Sequence, residues 1–162
     1  MIALASRTTL RASTDADAPR VASLLIDTRS AFMPFAPSAH STDEVREWVA
    51  SGLLPSGGVV VAEIDGQVIA AMHMERADSA SWITQMAVDP ALVGHGIGTL
   101  LLDHALRVLP LPIRLYTFQA NVGARRFYER HGFSALEFTD GQGNEERCPD
   151  VLYECRALPS ET

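Results

Sequence analysis

The sequence predicts an α/β (α+β) fold, one domain over residues 1–162 with a central mixed, mostly antiparallel sheet flanked by helices. Three stretches carry that expectation. Residues 59–64 and 67–75 are apolar runs separated by Asp65-Gly66, and Asp-Gly between two such runs is the strongest short-range signal for a β-hairpin. Residues 82–118 read as strand, helix and strand, and a crossover of that length makes the two strands parallel neighbours. Residues 133–139 and 151–156 read as a closing strand pair joined by the long connector Asp140–Pro149.

In chain order, Thr8–Ser13 alternates as a short first strand. Thr14-Asp-Ala-Asp17 then opens a helix that tolerates Pro19 in its first turn and runs to about Thr28. Residues 29–40 are expected to be irregular, because Pro34 and Pro37 block helix continuation. Ser41-Thr-Asp-Glu44 is a capping box for a second helix through Trp48, ending near Gly52. The strand around Trp82, Ile83, Thr84 and Val88 is stopped by Asp89-Pro90. Helical spacing follows, with Ile97, Leu100, Leu101, Ala105, Val108 and Leu109 on one apolar face and Pro110 as the stop. Ile113–Phe118 is the next strand, Asn121 caps a helix over 122–131, and Gly132 closes it.

The helix after the strand begins in Val93-Gly-His-Gly-Ile-Gly98. A glycine-rich first turn presents free N–H groups and the positive end of the helix dipole without Cβ atoms in the way, which suits a pyrophosphate. The frame is not that of a dinucleotide fingerprint, since the third glycine would fall at Thr99 or Leu101. Nor is it a Walker A loop, since no lysine stands nearby.

Composition bounds the function. The chain has 162 residues, is 47% hydrophobic and 20% charged, and carries a net charge of −7. That acidity argues against a nucleic-acid binder and could steer a cationic or amine-bearing acceptor. No apolar run approaches the ~20 residues of a membrane helix, and Met1–Arg7 is too short an apolar stretch for a signal peptide. A cytoplasmic protein without membrane or nucleic-acid partners is expected. Cys148 and Cys155 lack metal-ligand spacing and read as reduced thiols. Oligomeric state is not legible, though a homodimer is compatible.

Val88-Asp-Pro, Gly94-His-Gly-Ile-Gly98 and Asn121-x-x-Ala124-x-x-Phe127-Tyr128-x-x-x-Gly132-Phe133, in this order and spacing, resemble the GNAT superfamily of acyl-CoA-dependent N-acetyltransferases. The detailed match covers about residues 59–138. The resemblance implies a GNAT-like domain whose central strands splay to admit the pantetheine arm. It also implies acetyl-CoA as co-substrate and direct acetyl transfer to the amine of a small molecule or an exposed protein amine. Gly94, His95, Gly96, Ile97, Gly98 and Thr99 would hold the pyrophosphate, and Phe127 would lie along the cofactor. Asn121 would either bond the cofactor or cap its helix. Backbone N–H groups of Met86, Ala87 and Val88 would stabilise the oxyanion, and Tyr128 would be the acid facing the thioester sulfur. Phe32 and Phe35 would either contact the acceptor or pack in the core.

Two departures stand out. Val93 occupies a place where the family usually has Arg or Gln, which shifts the phosphate load to the loop N–H groups and implies weaker cofactor binding. Trp82–Val88 also lacks the carboxylate that many relatives carry, so the general base must come from elsewhere. Glu75 ranks ahead of His73, His40 and ordered water. These departures keep open a second reading, an acyl-CoA-binding or sensing module with little turnover.

Overall fold

A computed structural model describes residues 3–158. Seven strands, β1 (Thr9–Ala12), β2 (Val59–Ile64), β3 (Gln67–Arg76), β4 (Ser81–Val88), β5 (Ile113–Phe118), β6 (Ser134–Phe138) and β7 (Asp150–Cys155), form one sheet in the order β1-β2-β3-β4-β5-β7-β6. Every neighbouring pair is antiparallel except β4 and β5. The predicted mixed, mostly antiparallel sheet is therefore present. In the β2–β3 turn Asp65 and Gly66 have φ of 51° and 79°. Two successive positive values give a turn whose twist matches the flanking strands, which is why Asp-Gly is favoured there.

Helices cover both faces. α1 (Ala18–Phe32) and α2 (Thr42–Trp48), the latter continued by a π-helical turn over Val49–Leu53, bury Val21, Leu24, Val49 and Leu53 against Val59, Val61, Ala71 and Ala87. On the other face α3 (Ile97–Val108) buries Ile97, Leu101, Leu102, Ala105 and Leu106 against Met72, Ile83, Ile113 and Leu115, and α4 (Val122–Arg130) packs Phe127 and Tyr128 on the same cluster. Val61 and Ala62 fall in opposite layers, as the two-residue period of a strand requires. Leu101 is wholly buried, and truncating such a leucine to alanine costs about 2–5 kcal/mol through lost transfer energy and a cavity.

The structure corrects two sequence expectations here. α1 runs through Phe32 rather than stopping near Thr28, and only Met33, the residue before Pro34, leaves helical geometry with φ −130°. Pro34 lies past the helix end, so the residue it bars from helical geometry is Met33. The buried face of α3 takes in Leu102 and Leu106 and leaves Val108 41% exposed. The three consecutive leucines at 100–102 allow either neighbouring stripe, and the sheet selects one.

The predicted capping box of α2 is complete: the Ser41 hydroxyl accepts from the Glu44 N–H at 3.1 Å, and Glu44 accepts from the Ser41 N–H at 3.0 Å. Both cysteines are free thiols. Leu4–Arg7 form a 3-10 turn, while Met1 and Ile2 of the opening apolar stretch lie outside the described residues. Among the described residues no helix is long and apolar enough to cross a membrane.

Candidate functional site

The sheet opens where its two parallel strands meet. β4 and β5 pair only at Ser81 with Ile113 and Trp82 with Arg114, and beyond that point they separate. The opening continues into a cleft of about 1050 Å³ walled by β4, β5, the N-terminus of α3, α4, the C-terminal end of α1 and the 139–150 connector. The expected splay of the central strands is present, and it leaves backbone groups of β4 without a strand partner on one side.

Strand alternation identifies those groups. The Asp89 N–H donates to Ile69 O at 2.9 Å, so Ala87 also faces β3, whereas Met86 and Val88 direct their N–H groups into the gap. Met86 and Val88 line the cleft; Ala87, only 2% exposed, packs toward α1. Of the three expected oxyanion donors, Ala87 is thus turned away. Thr28 on α1 donates its hydroxyl to Val88 O at 3.3 Å, tying the helix to this edge.

At one end of the cleft Gly94 and Gly96 adopt φ of 89° and 84°, left-handed values that glycine takes without a Cβ penalty. Gly96 is the N-cap of α3, and the first helical bond is from Leu100 N–H to Gly96 O at 3.1 Å. The N–H groups of Ile97, Gly98 and Thr99 precede that bond and point out of the helix start. Gly94, Gly96, Ile97, Gly98 and Thr99 all line the cleft, together with Val93, which is 50% exposed. His95 is exposed and lies off the lining. A Cβ on Gly98 would stand 3.3 Å from the Phe127 ring, so the glycine lets α4 close on the start of α3. The Thr99 hydroxyl and His131 Nε2, 3.2 Å apart, link the same two helices.

α4 brings Asn121, Phe127 and Tyr128 to the cleft. Asn121 Oδ1 accepts from the Ala124 N–H at 3.3 Å, so the capping alternative is realised. The Tyr128 ring packs against Phe127, Phe133 and Tyr153 with centroids 5.2, 5.8 and 6.4 Å away. Burial pushes its phenol up to about 12, because an apolar wall disfavours the phenolate. The hydroxyl has no protein hydrogen-bond partner among the described residues and faces the opening.

The far end of the cleft is polar in a way the sequence did not reveal. Arg29 bonds Glu146 at 3.1 Å and Ala36 O at 3.0 Å, fastening the end of α1 to the connector before β7. Asp150 accepts from Asn144 Nδ2 at 3.1 Å and from the Thr139 hydroxyl. Arg29, Glu146 and Asp150 all line the cleft, with Phe32 beside them. Phe35, off the lining, meets Phe118 edge-on at 6.0 Å. No local signal announces this cluster, because Arg29 lies more than a hundred residues from Glu146 and Asp150 and meets them only in the folded chain.

The expected bases fall elsewhere. Glu75 pairs with Trp82 at the closed end of the β4–β5 junction, and its side chain is 56% exposed outside the cleft lining. The register that positions Glu75 beside the last paired residues of β4 removes it from direct reach of the opening. His40 lies on the outer surface, bonded to Glu145 at 2.9 Å. His73 is buried behind β4.

The model of the acetyltransferase (GNAT) family matches residues 25–133, which carry the split between β4 and β5, the glycine start of α3 and all of α4. The chain belongs to that family. It is 37% identical over 77 residues to the mycothiol acetyltransferase of Beutenbergia cavernae, covering 44% of this chain and 26% of that protein. It is 36% identical over 83 residues to the amino-acid acetyltransferase of Mycobacterium tuberculosis, covering 48% of this chain and 44% of the relative. The matches thus span less than half the length of either curated relative. Among solved structures, the PaiA N-acetyltransferase of Thermoplasma acidophilum in complex with coenzyme A superposes with a TM-score of 0.74 at 18% identity, covering 93% of this chain and 99% of the other. The apo form of YjaB from Escherichia coli gives 0.74 at 20% identity, with 91% and 96% covered.

Proposed function

We propose that this protein is an N-acetyltransferase that moves an acetyl group from acetyl-CoA directly to the primary amine of a small molecule or of an exposed protein chain. The observation that carries this reading is the split between β4 and β5, with the open start of α3 at one end of the cleft and the Arg29, Glu146 and Asp150 cluster at the other. The free N–H groups of Ile97, Gly98 and Thr99 suit a pyrophosphate. The pantetheine arm fits between the strands, where Met86 and Val88 offer N–H groups to the arm and to the thioester oxygen. Those donors lie fixed along the strand edge, preorganised for hydrogen bonds to a developing oxyanion. Tyr128 directs its hydroxyl toward the leaving sulfur. Asp150, which has no cationic partner among the described residues, favours an acceptor that arrives as an ammonium ion.

The two curated relatives are named as a mycothiol acetyltransferase and an amino-acid acetyltransferase, which supports a small amine-bearing acceptor. The free thiols and the acidic composition fit a cytoplasmic protein.

Release of free thiol from acetyl-CoA across a panel of amines, with the mass of each product, tests the reading. Amine-dependent thiol release with a product 42 Da heavier, the addition of one acetyl group, supports it. Tight CoA binding without amine-dependent release would instead establish a binding or sensing module.

A further inference from the structure

Behind the cleft wall lies a hydrogen-bonded pair that the reading above does not use. Thr84 is exposed on the cleft side of β4, and its hydroxyl meets His73 Nδ1. His73 is 3% exposed. A bulge brings the two together: Ile83 pairs with Met74 and Gln85 with His73, so Thr84 is the extra residue of β4. A bulge re-aims the side chain it carries, and here it holds one hydroxyl between the imidazole and the opening.

The direction of the bonds follows from proton counting. The Ser56 hydroxyl donates to Leu53 O at 2.6 Å, so toward His73 Nε2, 3.4 Å away, it can only accept. Nε2 therefore carries the ring proton and Nδ1 is the acceptor. Thr84 donates to Nδ1, which leaves its lone pairs facing the cleft as acceptors for an N–H. On its own side His73 lines a small cavity with the apolar Val21, Leu25, Leu53 and Val59 and the uncharged Gln85. The charged group beside it is Glu75, whose Oε1 is 3.8 Å from Nδ1 and whose side chain opens to solvent.

We propose that Thr84 and His73 form the proton outlet for the acceptor amine, with Thr84 touching the amine and His73 receiving the proton through it. The proposal rests on the acetyl-transfer reading and supplies the base that β4 lacks as a carboxylate. The acceptor gives its ammonium proton to solvent before attack; the neutral amine nitrogen then forms a bond to the thioester carbon, the C–S bond breaks, and its electron pair stays on sulfur as a thiolate held by the Tyr128 hydroxyl. The nitrogen passes a proton to Thr84 Oγ1 as Thr84 passes its own to His73 Nδ1. The imidazolium, beside Glu75, gives up that proton to solvent, and the thiolate takes one from solvent, so protons balance over the cycle. Imidazole is the side chain suited to taking and releasing a proton near neutral pH. Glu75 thereby acts as a neighbour of the relay rather than as the base that meets the substrate.

Three measurements test it. With the best amine of the panel, Thr84→Val, which keeps shape and removes the hydroxyl, should lower kcat by roughly 100-fold or more, the span of general base catalysis, with the acetyl-CoA KM unchanged. Thr84→Ser should restore most of the rate, a rescue that a packing role would not give. Nitrogen-15 NMR of the histidine ring should show His73 as the Nε2–H tautomer, and this readout needs no turnover. A Thr84→Val enzyme at full kcat, or a His73 protonated at Nδ1 at high pH, would overturn the relay. If no amine is acetylated by the parent, the acetyl-transfer reading fails, while the tautomer still decides the direction of the pair.

Discussion

Replacing Tyr128 by phenylalanine separates chemistry from packing, and the structure sets the size of the effect. The ring contacts with Phe127, Phe133 and Tyr153 survive the change, and the hydroxyl that disappears bonds no protein group among the described residues. Stability and CoA affinity should therefore stay near those of the parent. With its phenol pushed up to about 12, Tyr128 is protonated at neutral pH. Complete transfer of that proton to a thiolate, whose conjugate thiol is ordinarily the stronger acid, would run uphill. The hydroxyl thus acts by holding the thiolate through a charge-assisted hydrogen bond, worth about 1.5–3 kcal/mol. Tyr128→Phe should lower kcat roughly 10- to 150-fold with little change in acetyl-CoA KM. The assay is steady-state thiol release on the best amine, beside a melting curve for each variant. Tyr128→Ala would in addition lower the melting temperature, because the loss of a packed ring leaves a cavity. Full activity in a folded Tyr128→Phe enzyme would refute the argument and leave solvent to meet the leaving sulfur.

Gly96→Val should weaken CoA binding in calorimetry, because a β-branched residue at φ 84° reshapes the start of α3; Gly57→Val, at φ 82° with open space around it, imposes similar strain away from the cleft and should keep the affinity. Equal losses in both would place the phosphate seat elsewhere. Val93 is half exposed on the cleft with an ordinary φ of −64°, so Val93→Arg should tighten CoA by about 1 kcal/mol, roughly fivefold, and unchanged or weaker binding would show that an arginine there does not reach the phosphates. The imidazole of His40 is held above its ordinary value, first by Glu145 and then by Glu44. The link between its loop and the connector before β7 is therefore complete below the ordinary histidine pKa and lost as pH rises through the raised one. An NMR titration should find the His40 pKa lower in Glu145→Gln, and identical titrations would dismiss the pairing.

Local chemistry made much of the fold legible in the sequence. Asp65-Gly66 demands two positive φ values, Ser41 and Glu44 satisfy each other's N–H groups, and Ile113–Phe118 is bounded by Pro112 and a turn; in each case the decisive partners lie within a few residues. The glycine start of α3 and the Asn121 cap were legible for the same reason. What required the tertiary structure was every choice among equivalent local options. The run Leu100–Leu102 fits two helical faces, and only contact with β3, β4 and β5 selects Leu101 and Leu102. Glu75 ranks first among the bases in the sequence because β4 lacks a carboxylate, but alternation along β3 does not record which β4 residue it meets, and the register places it beside Trp82 at the closed end. The pairing of His73 with Thr84 depends on one extra residue in β4. A one-residue shift in register turns side chains from one face of a sheet to the other, and no pattern within a single strand records it. The cluster of Arg29, Glu146 and Asp150 likewise exists only once α1 meets the connector and the start of β7.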